Sequence, residues 1–219
     1  MVSILAIGAH PDDIELGCSA TLIKHKKHGD KIYLQVLSRG EASGDPEIRE
    51  RECRKAAELM GADKIVFGEL KDTKIDDGIN TIMAIERMIN EINPDVIYTH
   101  SFKDTHQDHR NTSYATLSAG RRSKKILMYE SPTTFRDFQP QLFVDIKDEF
   151  EKKKTIMRLY SSQSQKEWWA IGHRAAMAVE GLAAYRGFQA GVEVAEAFEV
   201  GKLVITANEQ IFNNINEEK

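Results

Sequence analysis

Short runs of aliphatic and β-branched residues recur at Ser3 to Gly8, Lys31 to Leu37, Lys64 to Phe67, Val96 to Thr99 and Ile126 to Tyr129, with helical patterns between them. The helical stretches are Cys18 to His28, Pro46 to Met60, Ile79 to Ile92 and Asp108 to Leu117. This alternation restricts the fold severely: strands joined by helices pair in parallel, and helices must cover both apolar faces of the resulting α/β sheet. Gly29, Gly61 and Pro94 stand where the helices should stop, since glycine accepts the left-handed conformation after a helix and proline cannot continue one. At 219 residues the chain suits one domain, 1–219, around one sizeable core. The last third is less regular. Phe143 to Ile146 reads as a strand, and Asp148 to Tyr160 and Glu167 to Ala184 read as helices. Val192 to Phe198 and Lys202 to Thr206 read as a β-hairpin turning at Glu199-Val200-Gly201.

In a parallel sheet wound in both directions the first strand lies beside the fourth, and ligands bind outside the carboxyl ends at that point. The first run delivers Ala9-His10-Pro11-Asp12-Asp13-Ile14-Glu15 to this crevice, and the fourth delivers His100 and then His106-Gln107-Asp108-His109. The expected topology therefore joins two clusters of imidazoles and carboxylates that are remote in sequence. A catalytic zinc takes three ligands from His, Asp or Glu and keeps a position open for water, and His10, Asp13 and His109 supply such a set. Asp12 neighbours a ligand but diverges from it, which suits a general base. His106 shares a helix face with His109, and as an imidazolium it would stabilise an oxyanion, with Asp108 orienting and charging it. Taken singly, the first cluster more often marks a capped helix start than a ligand set, and the second equally suits a polar loop feeding a helix. Their joint placement at neighbouring strand ends favours the metal site. His25, His28 and His173 lack such company and read as surface or helix-packing residues.

The same crevice could serve a dinucleotide, but the first turn has Gly8 and then only Gly17, with two aspartates between, where a pyrophosphate needs close glycines and no acid. A net charge of −4 gives no reason to expect a nucleic-acid partner, because backbone phosphates demand a basic face. Cys18 and Cys53 are too few for a thiolate zinc site or a disulfide framework, and buried thiols in a reducing, cytoplasmic setting are expected. The apolar N-terminus is too short for a membrane span and meets His10 and two aspartates where a signal peptide would need small residues.

The two clusters resemble the signature motifs of the zinc-dependent de-N-acetylases of the LmbE/PIG-L family. Further likeness lies in Gly17, in Arg49 to Gly61, in Tyr160 to Gln163 and in Ala195-Glu196-Ala197-Phe198. The resemblance implies a Rossmann-like sheet, one Zn2+ ion, and hydrolysis of the N-acetyl group of an N-acetylglucosamine-type sugar, a small-molecule substrate. It also implies a homo-oligomer, trimer or hexamer. Carried over residue by residue, the metal ligands are His10, Asp13 and His109, the general base is Asp12 and the oxyanion-stabilising histidine is His106. Asp108 matches the carboxylate that tunes this histidine, and Arg49 matches a substrate-binding arginine. The polar loop Arg39 to Asp45 is expected at the mouth, and Trp168 or Trp169 could stack on a sugar ring. Two other readings remain: an amidase for a different amide, such as a thiol conjugate or natural-product intermediate, and a metal- or sugar-binding protein without turnover.

Overall fold

The computed structural model describes residues 1–164 and 171–205. Its strands are β1 (Ser3–Gly8), β2 (Lys31–Val36), β3 (Lys64–Phe67), β4 (Val96–His100), β5 (Lys125–Tyr129), β6 (Leu142–Asp145) and β7 (Ala195–Leu203). The helices are α1 (Asp13–Lys27), α2 (Pro46–Met60), α3 (Ile79–Ile92), α4 (Gln107–Ala119), α5 (Phe150–Met157), α6 (Ser161–Ser164) and α7 (Ile171–Ala190). One sheet holds all seven strands in the order β3-β2-β1-β4-β5-β7-β6. The first five are mutually parallel, and β1 pairs directly with β4 through Ile4↔Val96 and Ala6↔Tyr98. β1 is buried on both faces, which explains its continuous apolar run. Ile4 and Ala6 pack beneath α1, α2 and α5, whereas Leu5 and Ile7 pack beneath α3 and α4.

The expected hairpin is replaced by one unbroken strand. β7 lies between β5 and β6 and runs antiparallel to both. Ile126 pairs with Lys202 but Leu127 with Val200, so Gly201 is the extra residue of a bulge. A Cβ there would lie 3.0 Å from Leu117 Cδ2, so the glycine marks close approach rather than a turn. The expected helix from Asp148 begins instead at Phe150, because Glu149 closes a turn onto the Ile146 carbonyl and its carboxylate pairs with Lys27 at 2.6 Å. Trp168 and Trp169, and the start of the helix expected from Glu167, lie outside the described residues.

Helix α1 starts earlier than expected and is broken at Cys18, with φ −144° and ψ 16°. The break has a steric cause: a Cβ on Gly17 would sit 2.2 Å from Tyr129 Cδ2, so only glycine lets this turn cross the Tyr129 ring. It also frees backbone groups that need partners. The Glu196 carboxylate accepts from Ala20 N at 3.1 Å and Thr21 N at 2.7 Å. Lys153 Nζ donates to the Leu16 carbonyl at 2.7 Å and pairs with Glu196 at 2.5 Å. The short first segment of α1 is thereby fixed at the end of β1, with Asp13 at its tip.

Candidate metal centre

The chain leaves β1 through Ala9 and His10 and enters α1 across a turn in which Asp12 has φ 106°, a left-handed conformation that costs a non-glycine residue free energy. The Asp12 side chain makes no capping bond to the helix, so this is not an ordinary capped start. Asp13 ties the turn together instead, accepting the His10 amide at 2.7 Å. From β4, the fully buried His100 places Nε2 3.1 Å from Asp13 Oδ2. His106 caps α4, its Nδ1 accepting the Asp108 amide at 3.2 Å, and His109 follows one turn later.

The two clusters meet. Asp13 faces His109 Nε2 with Oδ1 at 3.2 Å and His10 Nδ1 with Oδ2 at 3.3 Å. The His10 and His109 rings are 5.4 Å apart between centroids, and the His106 ring is 4.9 Å from His10 and 4.6 Å from His109. Among the described residues, three sets of donors converge within 4.8 Å: His10, His106 and His109; Asp13, His100 and His109; and His10, Asp72 and Asp108. His109 is common to the first two sets, and Asp13 bridges His10 and His109 with a different oxygen to each.

Charge in this space is unusual. Burial would strip the proton from His109, but Asp13 and Asp104 reverse this and push its pKa up to about 9. His10 is raised in the same way, burial being outweighed by Asp108, Asp13 and Asp72. Asp13 is held well below the usual carboxylate range, burial being outweighed by His109, His100 and His10. Burial lowers His100 to about 4, helped by repulsion from His109, and lowers His106 for the same two reasons. Two imidazoles kept protonated by buried carboxylates present the charge balance that a divalent cation can satisfy by displacing those protons. The donors also fit: His10 and His109 each turn one nitrogen toward Asp13 and the other to within 3.1 Å of a further carboxylate, the placement that supports a ligating histidine.

Two residues sit differently from the sequence expectation. The Asp108 carboxylate meets His10 Nε2 at 3.1 Å and the Thr73 amide at 2.7 Å, and only its backbone amide reaches His106. Arg49 is buried and its two terminal nitrogens bond within the protein, while its Nε has no hydrogen-bond partner among the described residues. It donates to Pro11 O at 2.7 Å, to Gly40 O at 2.9 Å and to Ser43 Oγ, and it lies 3.4 Å from Asp12 Oδ2. It thus clasps the Arg39–Asp45 loop to the strained turn. Sequence reasoning missed Asp72, 3.0 Å from His10 Nε2, and Asp104, 3.1 Å from His109 Nδ1. Both stand in loops just past strands β3 and β4, the one signal that could have found them.

Fold and site together define an α/β protein with a histidine–carboxylate centre at the carboxyl end of a parallel sheet. Residues 5–120 match the family described as PIG-L, GlcNAc-PI de-N-acetylase, and the chain belongs to that family. It is 40% identical over 154 residues to "Uncharacterized deacetylase YaiS" of Escherichia coli K12, covering 67% of this chain and 83% of that protein. It is 26% identical over 196 residues to the diacetylchitobiose deacetylase of Thermococcus kodakarensis, covering 77% of this chain and 72% of the other. The crystal structure of the conserved protein TT1542 from Thermus thermophilus superposes with a TM-score of 0.82 at 25% identity, over 94% of this chain and 97% of that one. Among the described residues no helix is long and apolar enough to cross a membrane.

Proposed function

We propose that this chain, as a single catalytic domain, is a zinc-dependent hydrolase that removes the N-acetyl group from an N-acetylglucosamine-type amino sugar or its conjugate, releasing acetate and a free amine. The observation that supports this reading is the meeting of His10 and His109 with His106 within 4.8 Å, with Asp13 3.2 Å from His109 Nε2 and 3.3 Å from His10 Nδ1. His10, Asp13 and His109 would hold the ion. Bound zinc supplies Lewis acidity, which makes water deprotonable near neutral pH and polarises an acyl oxygen.

The chain's own groups supply the proton transfers. Asp12 keeps its side chain 24% exposed, so it can reach an attacking water. Burial, opposed by Arg49, pushes its carboxyl up to about 6, close to the range in which a base works best near neutrality. His106 accepts a hydrogen bond at Nδ1, which leaves its proton on Nε2. Burial and repulsion from His109 lower its pKa, which supports a neutral ring donating to the developing oxyanion in place of the imidazolium expected from sequence. Asp12 then returns its proton to the departing nitrogen. The diacetylchitobiose deacetylase relative supports an amino-sugar substrate, and the resemblance and the two cysteines carry the further expectations of a homo-oligomer and a cytoplasmic location.

The test is acetate release by the zinc-loaded protein from a panel of N-acetylglucosamine oligosaccharides, glycosides, lipids and nucleotide sugars. Acetate from at least one member is expected. Release only from non-sugar amides would move the substrate class, and stoichiometric zinc without acetate from any substrate would leave a binding protein.

A further inference from the structure

Asp104 belongs to neither sequence motif, yet it is 1% exposed and both of its carboxylate oxygens are engaged. Its Oδ1 accepts the His106 amide at 2.8 Å. Its Oδ2 accepts Ser131 Oγ at 2.7 Å and Thr133 Oγ1 at 2.9 Å, and lies 3.1 Å from His109 Nδ1, an ion-pair distance short enough for a hydrogen bond although the angle here does not make one. The segment after β5 is itself bound to the loop after β4, through Thr105 N to Thr133 O at 3.0 Å and Phe135 N to Lys103 O at 2.7 Å.

We propose that Asp104, latched by Ser131 and Thr133, is a positioning residue that aligns both histidines of the second cluster, fixing the His109 tautomer so that Nε2 is left free for the cation. The inference rests on the reading of His109 as a ligand. His109 turns Nε2 toward Asp13, so its proton must sit on Nδ1 if Nε2 is to bind metal. An ionised carboxylate only accepts, and it can take the Nδ1–H and the His106 amide at once. An asparagine cannot. If its oxygen serves the backbone amide, its NH2 group faces His109 Nδ1 and drives the proton to Nε2, the ligand atom. If the side chain flips, NH2 opposes the His106 N–H. The hydroxyls from the 131–133 segment can adapt, because each donates or accepts. Replacing the acid by its amide therefore preserves shape and removes the one property the arrangement uses.

The experiment is a zinc-affinity measurement by chelator competition on D104N, together with 1H–15N NMR of the zinc-loaded protein to find the His109 Nδ1–H. D104N is expected to melt near the wild-type temperature, to bind zinc about 10- to 100-fold more weakly and to lose the hydrogen-bonded Nδ1–H signal. Wild-type affinity with the signal retained would overturn the proposal. Should D104N fail to fold, the double variant S131A/T133A leaves the acid in place without its latch. It is expected to weaken zinc binding several-fold, and unchanged affinity there would overturn the proposal equally. A merely structural role would lower the melting temperature without moving tautomer or affinity. Zinc bound by wild-type protein that releases no acetate would refute the proposed activity while leaving this inference standing.

Discussion

Two polar clusters sit at opposite ends of the parallel strands, one around the single His25 and one around several histidines, and they use imidazole and carboxylate to different ends. At the amino end, His25 has one partner for each nitrogen: Asp30 Oδ2 lies 2.8 Å from Nδ1 and the Tyr98 hydroxyl 3.0 Å from Nε2. Asp30 also accepts the Val2 amide at 2.9 Å. Every group there is matched. At the carboxyl end, Asp13 faces three imidazoles, and His10 Nε2 faces both Asp72 and Asp108. Groups converge there beyond what pairwise bonding uses, on a backbone that places Asp12 and Thr73 at positive φ. A balanced cluster holds a fold together, whereas a crowded one needs a further charge to complete it.

This contrast can be broken from either side. His109→Ala should lose stoichiometric zinc by elemental analysis and with it all measurable turnover; a metal-replete variant would place the ligand set elsewhere. Asp12→Asn should keep zinc and lose about 10²–10⁴-fold in kcat, the usual contribution of a positioned base. In the wild type, kcat/KM should fall about tenfold per pH unit as Asp12 protonates below about 6, and this acid limb should be absent from the residual rate of Asp12→Asn. Gly17→Ala should cost about 3 kcal/mol in urea unfolding, since its Cβ would overlap the Tyr129 ring. His25→Ala should cost only about 1 kcal/mol and leave kcat unchanged, because it removes matched bonds alone. A drop in kcat there would erase the distinction between the two clusters.

The parallel half of the fold was legible because buried strands in such sheets must be apolar and helices must separate them. The adjacency of β1 and β4 followed from topology, and with it the meeting of His10 and Asp13 with His109. Three things were hidden. The bulge at Gly201 looks like a turn in sequence, since glycine marks both a reversal and a close approach. Asp72 and Asp104 lie in loops, where no periodicity distinguishes a supporting carboxylate from a solvated one. The roles of Arg49 and Asp108 depend on which way a side chain leaves its helix, and the composition of a motif does not contain that direction. Here the Asp108 carboxylate meets His10 and the Arg49 guanidinium holds the turn at Pro11.

The broken first helix binds distant parts of the chain into one unit. Its exposed amides are stoppered from β7 and its loose carbonyl from α5, so segments far downstream complete an element formed within the first thirty residues. A fragment ending after α4 would contain every proposed ligand and still leave those stoppers behind. Such a truncation should yield an aggregating product rather than a minimal enzyme, and trimming for engineering should begin at surface loops rather than at the carboxyl third.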